Sequence, residues 1–169
     1  MKILIIGNVG SGKTTLGNNL AKLYGIKLFS IDNIVYDDEN KLKREKLEQI
    51  NLLNKINREN KEYIIEGVLH KNMDFLLNLV DKVVIIDLDK KILKNRIRKR
   101  YIKQKIGISK DKYLVSKVHL YDMYNWIEKY DYDRINKLII KYSRKIVYLK
   151  TTKDIKKYIK AVKKELFLL

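Results

Sequence analysis

A three-layer α/β fold, with a five-stranded parallel sheet between layers of helices, is predicted by three features of the sequence. Apolar runs bounded by polar residues recur at the intervals of βαβ units. The fourth and fifth runs, Val83–Leu88 and Lys145–Leu149, are rich in Val and Ile without polar alternation, the pattern of strands buried on both faces. Between the first run and the first helical stretch lies Gly7-Asn8-Val9-Gly10-Ser11-Gly12-Lys13-Thr14, a complete G-x-x-x-x-G-K-[ST] sequence in strand–loop–helix context.

Taken in order, the predicted strands are Lys2–Ile6, a short Lys27–Phe29, Tyr63–Ile65, Val83–Leu88 and Lys145–Leu149. The helical candidates are Thr14–Tyr24, Lys41–Asn57, Met73–Leu79, Lys90 to about Lys105, Lys112–Lys129, Arg134–Tyr142 and Asp154 to about Phe167. In the last of these, Ile155, Ile159, Val162 and Leu166 recur at helical spacing and read as a core face, with Asp154 as a candidate cap. Strict alternation of strand and helix breaks only in the Tyr- and Lys-rich stretch 101–133, inserted between the fourth and fifth strands. Such an insert belongs outside the carboxyl ends of the strands, on the ligand side of a parallel sheet. Trp126, among Tyr121, Tyr124 and Tyr130, is expected to pack the interior of this insert. No repeat or linker divides the chain, so residues 1–169 read as one domain carrying a lid-like insert at about 101–133.

Composition narrows the possibilities. The chain has no cysteine, which removes a disulfide framework and thiolate metal sites. Its first apolar run is too short for a signal peptide or a membrane span, so a cytoplasmic protein without a membrane partner is expected. The formal net charge is +18. Heavy use of Lys, Ile, Asn and Tyr with no proline has the look of AT-rich coding, and lysines written as default surface residues raise the charge without implying a nucleic-acid partner. Locally the charge is more informative: nine basic and no acidic residues lie between Lys90 and Lys105. A field of that sign attracts polyphosphate.

The glycine-rich motif carries the chemistry. Glycines allow backbone N–H groups to turn inward at a helix N-terminus and form an anion nest. Residues Gly7, Asn8, Val9, Gly10, Ser11, Gly12, Lys13, Thr14 and Thr15 are therefore the predicted nucleotide-binding set, in a P-loop NTPase fold. Lys13, expected as an exposed charge at the loop's end, would reach the β- and γ-phosphates of ATP, and the Thr14 hydroxyl would ligate Mg²⁺. Carboxylates just past strand ends are the other metal candidates. Glu66, in Ile64-Ile65-Glu66-Gly67, occupies the best Walker-B-like position, against the alternative of an exposed carboxylate opening a loop. Asp32 reads either as base or orienter for an acceptor hydroxyl or as part of the Ser30-Ile31-Asp32 helix start. Asp87 and Asp89 read as structural, capping the helix from Lys90. Arg96 and Arg100, four apart, share a helix face and could fork onto phosphate oxygens; the alternative is a solvated basic face. His70 and His119 are isolated, with no zinc-ligand spacing and no Gly-x-Ser-x-Gly elbow.

These residues resemble the adenylate-kinase-like P-loop kinases, a group that includes shikimate and gluconate kinases. The resemblance is carried by Gly7–Thr14, Asp32, Ile64-Ile65-Glu66-Gly67, and Arg96 with Arg100. Within that group the chain is most similar to the bacterial DNA topology modulation proteins, through Lys2–Thr14, Ile64–Gly67, Leu93–Tyr101, Asn125-Trp126-Ile127 and Arg134-Ile135. The resemblance implies ATP and Mg²⁺ as cofactors and a lid that closes over the phosphates. By the same analogy Arg134 is a further lid arginine, giving Lys13, Asp32, Arg96, Arg100 and Arg134 as the catalytic set. Two arginines with which nucleoside monophosphate kinases hold the acceptor's phosphate are replaced here, at about Val35 and His70.

The leading functional expectation is a kinase that transfers the ATP γ-phosphoryl group to a small-molecule or nucleotide acceptor. The alternative is a nucleic-acid-binding modulator of DNA topology type, with ATP as a switch. Nucleic acid is otherwise expected to bind only weakly and without sequence preference. A GTPase is disfavoured because no Asn/Thr-Lys-x-Asp or Asp-x-x-Gly motif is present, and an AAA-type motor because so short a chain lacks the sensor regions of those machines.

Overall fold

The computed structural model describes residues 1–37, 42–108 and 116–168. Five parallel strands form one sheet in the order β2-β3-β1-β4-β5. They are β1 (Lys2–Gly7), β2 (Lys27–Ser30), β3 (Tyr63–Gly67), β4 (Lys82–Ile86) and β5 (Ile146–Leu149). Each lies within a residue or two of its predicted bounds, and the sheet is the one expected. β1 is central, with Leu4 level with Ile65 on one side and Val83 on the other. The register also sets the upper rim, where Ile5 faces Glu66, Ile6 faces Gly67 and Gly7 faces Ile86.

Successive strand residues point to opposite faces, so the central strands feed two cores. Ile3 and Ile5 pack with Leu16 and Leu20 of α1 (Lys13–Tyr24), Leu93 and Ile97 of α5 (Lys90–Lys105), Ile127 of α6 (Lys117–Glu128) and Val162 of α8 (Thr152–Leu166). Leu4 and Ile6 face the other way. They join Ile34 of α2 (Ile31–Val35), Leu53 of α3 (Lys46–Glu59), Leu76 of α4 (Leu76–Leu79), and Ile135 and Leu138 of α7 (Tyr132–Lys141). Apolar residues on both faces of β1 are the reason the strand reads as an unbroken apolar run. Among the described residues no helix is long and apolar enough to cross a membrane.

The differences from expectation have local causes. The predicted Lys41–Asn57 helix begins only at Lys46, because Tyr36 and Lys43 form an antiparallel bridge that holds the preceding chain extended; Lys41 itself lies outside the described residues. Met73–Leu79 splits into a 3₁₀ turn, Lys71–Met73, and the short α4. α7 starts at Tyr132, two residues early, since the Asp131 carboxylate accepts the Arg134 N–H at 3.0 Å and caps it. Asp154 is not the cap of α8. Thr151 is, and Asp154 closes a reciprocal capping box with it, the two bonds measuring 3.1 and 2.8 Å. The core face predicted for α8 holds, with Val162 buried and Ile155, Ile159 and Leu166 partly so.

Of the predicted insert, residues 109–115 lie outside the described residues. α5 leaves the sheet into the insert, α6 lies within it, and α7 leads back to the sheet. Glu128 at the end of α6 accepts from Lys90 at 2.6 Å and Lys94 at 2.7 Å, bracing α6 against α5 and drawing the carboxyl down to about 2. Trp126 corrects the expectation of an aromatic interior. It is 49% exposed, edge-on to His119, while Met123 and Ile127 supply the packing face. Residues at i and i+4 share a face, which places Met123 and Ile127 inward and leaves Trp126 on the flank.

Candidate phosphate-binding site

The chain from Gly7 to Thr14 turns from the centre of the sheet straight into α1. Gly12, the N-cap of α1, has φ 97° and Gly10 has φ 76°, left-handed conformations that non-glycine residues adopt at a cost. Between them Ser11 is completely buried and its hydroxyl has no hydrogen-bond partner. The turn is closed by the Ser11 N–H, which donates to the Asn8 carbonyl at 3.3 Å. Asn8 is itself buried: its side-chain oxygen accepts from the Val9 N–H at 2.7 Å, and its amide donates to the Ile127 carbonyl at 3.1 Å and the Tyr132 hydroxyl at 3.2 Å.

Lys13 departs from expectation. It is 8% exposed, not a solvated charge, and its ammonium donates to the Asn8 carbonyl at 2.9 Å. Burial pushes its pKa down, while the Glu66 and Asp32 carboxylates oppose that shift. An ammonium stripped of water beside an anion nest is a strong partner for a polyphosphate, because both have already lost much of their hydration.

Glu66 is 5% exposed and accepts a hydrogen bond from the Thr14 hydroxyl at 3.0 Å. The two residues come from β3 and α1, brought together by the parallel register of β1 and β3. Burial raises the Glu66 pKa, with Lys13 and the Thr14 hydroxyl pulling against it and Asp32 adding to it. Gly67 is required here by space: a Cβ would stand 2.6 Å from the Cβ of Ile31. The helix-start reading of Asp32 is met in the backbone, with Ser30 as the cap. Its N–H donates to the Ser30 hydroxyl at 3.2 Å, so its backbone belongs to the cap of α2. Its carboxylate is exposed and acts electrostatically on Lys13, Glu66 and His70. His70, half-buried after β3, has its pKa lowered chiefly by burial; Asp32 opposes this while Lys43 and Arg134 add to it.

The three arginines expected on the lid part company. Arg96 donates to the carbonyls of Ser11 at 2.7 Å and Gly10 at 3.4 Å, and to the Thr152 hydroxyl at 3.2 Å. Its guanidinium therefore grips the outside of the P-loop. Arg100, one turn further along α5, is exposed. Arg134 is not on a lid in this conformation: it donates to the carbonyls of Leu69 at 2.8 Å and His70 at 3.0 Å and pairs with Asp74. The cap of α7 turns Arg134 toward the loop after β3, a long-range contact that sequence spacing does not reveal. Asp89 caps α5 as expected, whereas Asp87 does not: its carboxylate accepts from the Tyr148 hydroxyl of β5 instead.

Two features were missed by sequence reasoning. Arg44 binds the carbonyls of Asn33 at 2.6 Å and Ile34 at 3.4 Å, as well as that of Tyr36, and so fixes the carboxyl end of α2. Asn8, a variable position of the motif, turned out to be the tie between the P-loop and the returning insert. A separate cavity of about 370 Å³ is lined by Phe29, Ser30, Asn33, Arg44 and Leu52 among others, but by none of Lys13, Thr14, Asp32 or Glu66.

The donor set fits a phosphate chain with Mg²⁺. A buried hydroxyl lacks a partner at Ser11, the loop's bends are glycines, and the Thr14 and Glu66 oxygens converge at 3.0 Å beside a buried ammonium. Among the described residues no cluster of three or more His, Asp or Glu could hold a metal ion by itself. The two oxygens that meet here, of Thr14 and Glu66, are of the number and kind that Mg²⁺ takes from protein.

Sheet order and loop together define a P-loop, kinase-like α/β protein. The sequence profile described as an AAA domain matches residues 3–115, and the chain belongs to that family. The match concerns the domain and says nothing of motor activity. No curated protein matches the chain. Among solved structures it is similar to deoxyadenosine kinase from M. mycoides, described with products dCMP and a flexible dCDP bound, at 17% identity and TM-score 0.53 over 100% of both chains. It is also similar to shikimate kinase from Bacteroides thetaiotaomicron at 18% identity and TM-score 0.53, over 100% of this chain and 99% of that one. An uncharacterized protein from Eubacterium ventriosum gives 17% identity and TM-score 0.54, again over 100% and 99%. At these identities the likeness establishes the fold.

Proposed function

We propose that the protein is a cytoplasmic, Mg²⁺-dependent kinase that transfers the ATP γ-phosphoryl group to a hydroxyl of a small-molecule or nucleotide acceptor. The observation that carries this reading is the meeting of Thr14 and Glu66 at 3.0 Å beside the buried ammonium of Lys13. The P-loop amides and Lys13 hold the β- and γ-phosphates, and Thr14 with Glu66 forms the metal's protein side. Bound there, Mg²⁺ would supply positive charge to offset what develops on transfer. Asp32 accepts the proton of the acceptor hydroxyl; the acceptor oxygen forms a bond to the γ-phosphorus, and the β–γ bridging bond breaks to release ADP. Arg100 neutralises charge on the transferred group when the insert closes, and residues 1–169 act as a single kinase domain. The kinases among the structural neighbours support the reaction class without naming the acceptor.

The test is an ATP-consumption screen against nucleosides, nucleotides, sugars and hydroxy acids, repeated with Lys13→Ala. Turnover with one acceptor that disappears in the variant is the expected result. Turnover unchanged by the substitution removes the P-loop assignment. The similarity to DNA topology modulation proteins gives a second reading, in which the basic α5 holds nucleic acid. We rank it lower because binding through six to ten phosphates should weaken about 10³- to 10⁵-fold between 50 and 200 mM salt. Tight, sequence-selective binding at the higher salt would reverse the ranking.

A further inference from the structure

We propose that Arg96 is a positioning residue for the phosphate chain, acting through the Ser11–Gly12 peptide and not by touching the transferred group. The inference rests on the nucleotide-binding reading above and deepens it. The Arg96 guanidinium lies at 2.7 Å from the Ser11 carbonyl oxygen and 3.4 Å from that of Gly10, and its other nitrogen donates to the Thr152 hydroxyl at 3.2 Å. No peptide among the described residues is cis. In a trans peptide the C=O and the following N–H point in opposite directions. A Ser11 carbonyl drawn toward α5 therefore turns the Gly12 N–H away from α5. The Gly10 carbonyl likewise directs the Ser11 N–H, which is used inside the loop by Asn8 at 3.3 Å. Gly12 is the residue at φ 97°, where the backbone alone has little reason to hold one orientation. The guanidinium supplies that reason.

The charge also has an electrical effect. A cation on the carbonyl side of a peptide polarises it, and its N–H becomes a stronger donor to an anion. The strut has a footing as well, since Thr152 opens α8, whose first turn is locked by the Thr151–Asp154 capping box. Arg96 thus spans from the P-loop to the helix after β5 and holds the nest against a fixed part of the fold. Lysine could not do this, because one ammonium lacks the planar fork that reaches a carbonyl and a hydroxyl on opposite sides.

The role separates cleanly from that of an arginine acting in the transition state. A strut on the nest weakens every ligand that carries a phosphate chain, and weakens ADP and ATP alike. A transition-state arginine leaves ADP affinity unchanged and lowers kcat. The experiment is calorimetric titration of the full chain with Mg·ATP, Mg·ADP and Mg·tripolyphosphate, alongside kcat and KM for whatever turnover the screen detects. Arg96→Ala should raise all three dissociation constants by a similar factor, on the order of 10-fold, with kcat at saturating ATP kept within a few-fold. Arg96→Lys should recover little of the loss. Thr152→Val, which removes only the footing and spares the fold if Arg96→Ala does not, should give a smaller loss of the same kind. Lys103→Ala should change nothing. Unaltered affinities in both Arg96→Ala and Thr152→Val overturn the strut while leaving the kinase reading intact, as does a fall in kcat with ADP affinity preserved. Failure of the unsubstituted protein to bind any of the three probes removes both.

Discussion

The two sides of the site are built differently. On the P-loop side, Lys13, Glu66, Asn8 and Ser11 are all buried, and Lys13, Glu66 and Asn8 are tied to neighbours at hydrogen-bond distance. On the Asp32 side the groups are exposed or half-buried, and two guanidiniums, of Arg44 and Arg134, are spent on backbone carbonyls and carboxylates. The first side is preorganised for an anion before any ligand arrives. The second has its loops held in place by these arginines, with the Asp32 carboxylate exposed and the His70 imidazole half-buried. On the proposed kinase reading, the fixed half would hold the phosphate chain and the open half the acceptor.

The contrast can be broken at several points. The largest effect is expected at Arg100. Delivered to the transferring group, an arginine is worth about 10³- to 10⁵-fold in rate, whereas on a solvated face it is worth almost nothing. Arg100→Ala should therefore lower kcat severely with little change in Tm, measured by steady-state turnover and thermal melts. Wild-type turnover in this variant would make α5 a solvated face beyond Arg96. Next comes Lys13. Removing its ammonium should cost about 10²- to 10³-fold in kcat and weaken Mg·ATP in calorimetry. Because Lys13 is buried beside Glu66, the variant also leaves a carboxylate without its counter-charge, so Lys13→Met, which fills the same space, is the better-behaved partner experiment.

Arg134 distinguishes the halves more finely. If it is a strut for the loop after β3, Arg134→Ala should lower stability by about 2–3 kcal/mol, read as a Tm fall of several degrees, with nucleotide affinity preserved. A rate loss at unchanged Tm would instead return Arg134 to the lid. The smallest effect is expected at His70. Its folded pKa lies below the ordinary 6.5, so between those values the unfolded chain binds more protons than the native one. Stability is insensitive to this group above about 6.5 and falls as pH drops toward its folded pKa. His70→Gln should therefore lose less Tm than the unsubstituted protein on acidification through that window, and parallel curves would refute the buried imidazole.

What was legible in the sequence follows the same division. The five strands and the loop were readable because their signals are local: apolar runs such as Ile3-Leu4-Ile5-Ile6 and glycines at fixed spacing in Gly7–Thr14. Glu66 was found by its place at a strand end. Burial of Lys13 was not, because it depends on Glu66 and Asn8 arriving from elsewhere in the fold. Arg96 and Arg100 do share a helix, yet spacing could not say that one of them faces Ser11. Arg134 and Arg44 were obscured for a like reason, since a guanidinium bound to main-chain carbonyls leaves no residue-type pattern to find. Trp126 failed because aromatic density in a segment does not fix which side of the helix carries it.

The clasp between Asn8 and the carbonyl of Ile127 and the hydroxyl of Tyr132 spans 119 and 124 residues. Synthesis runs from Gly7 toward Tyr132, so the whole glycine-rich motif is made before the segment that clasps it. During that interval β1 has neither β3 nor β4 beside it, and the amide of Asn8 has no place to dock. A nascent chain that stops before Ile127 thus carries the complete motif without the loop's final clasp. The last ties of the loop are supplied by α6 and α7, so that truncation before Ile127 would keep every residue of the motif and lose both acceptors of the Asn8 amide.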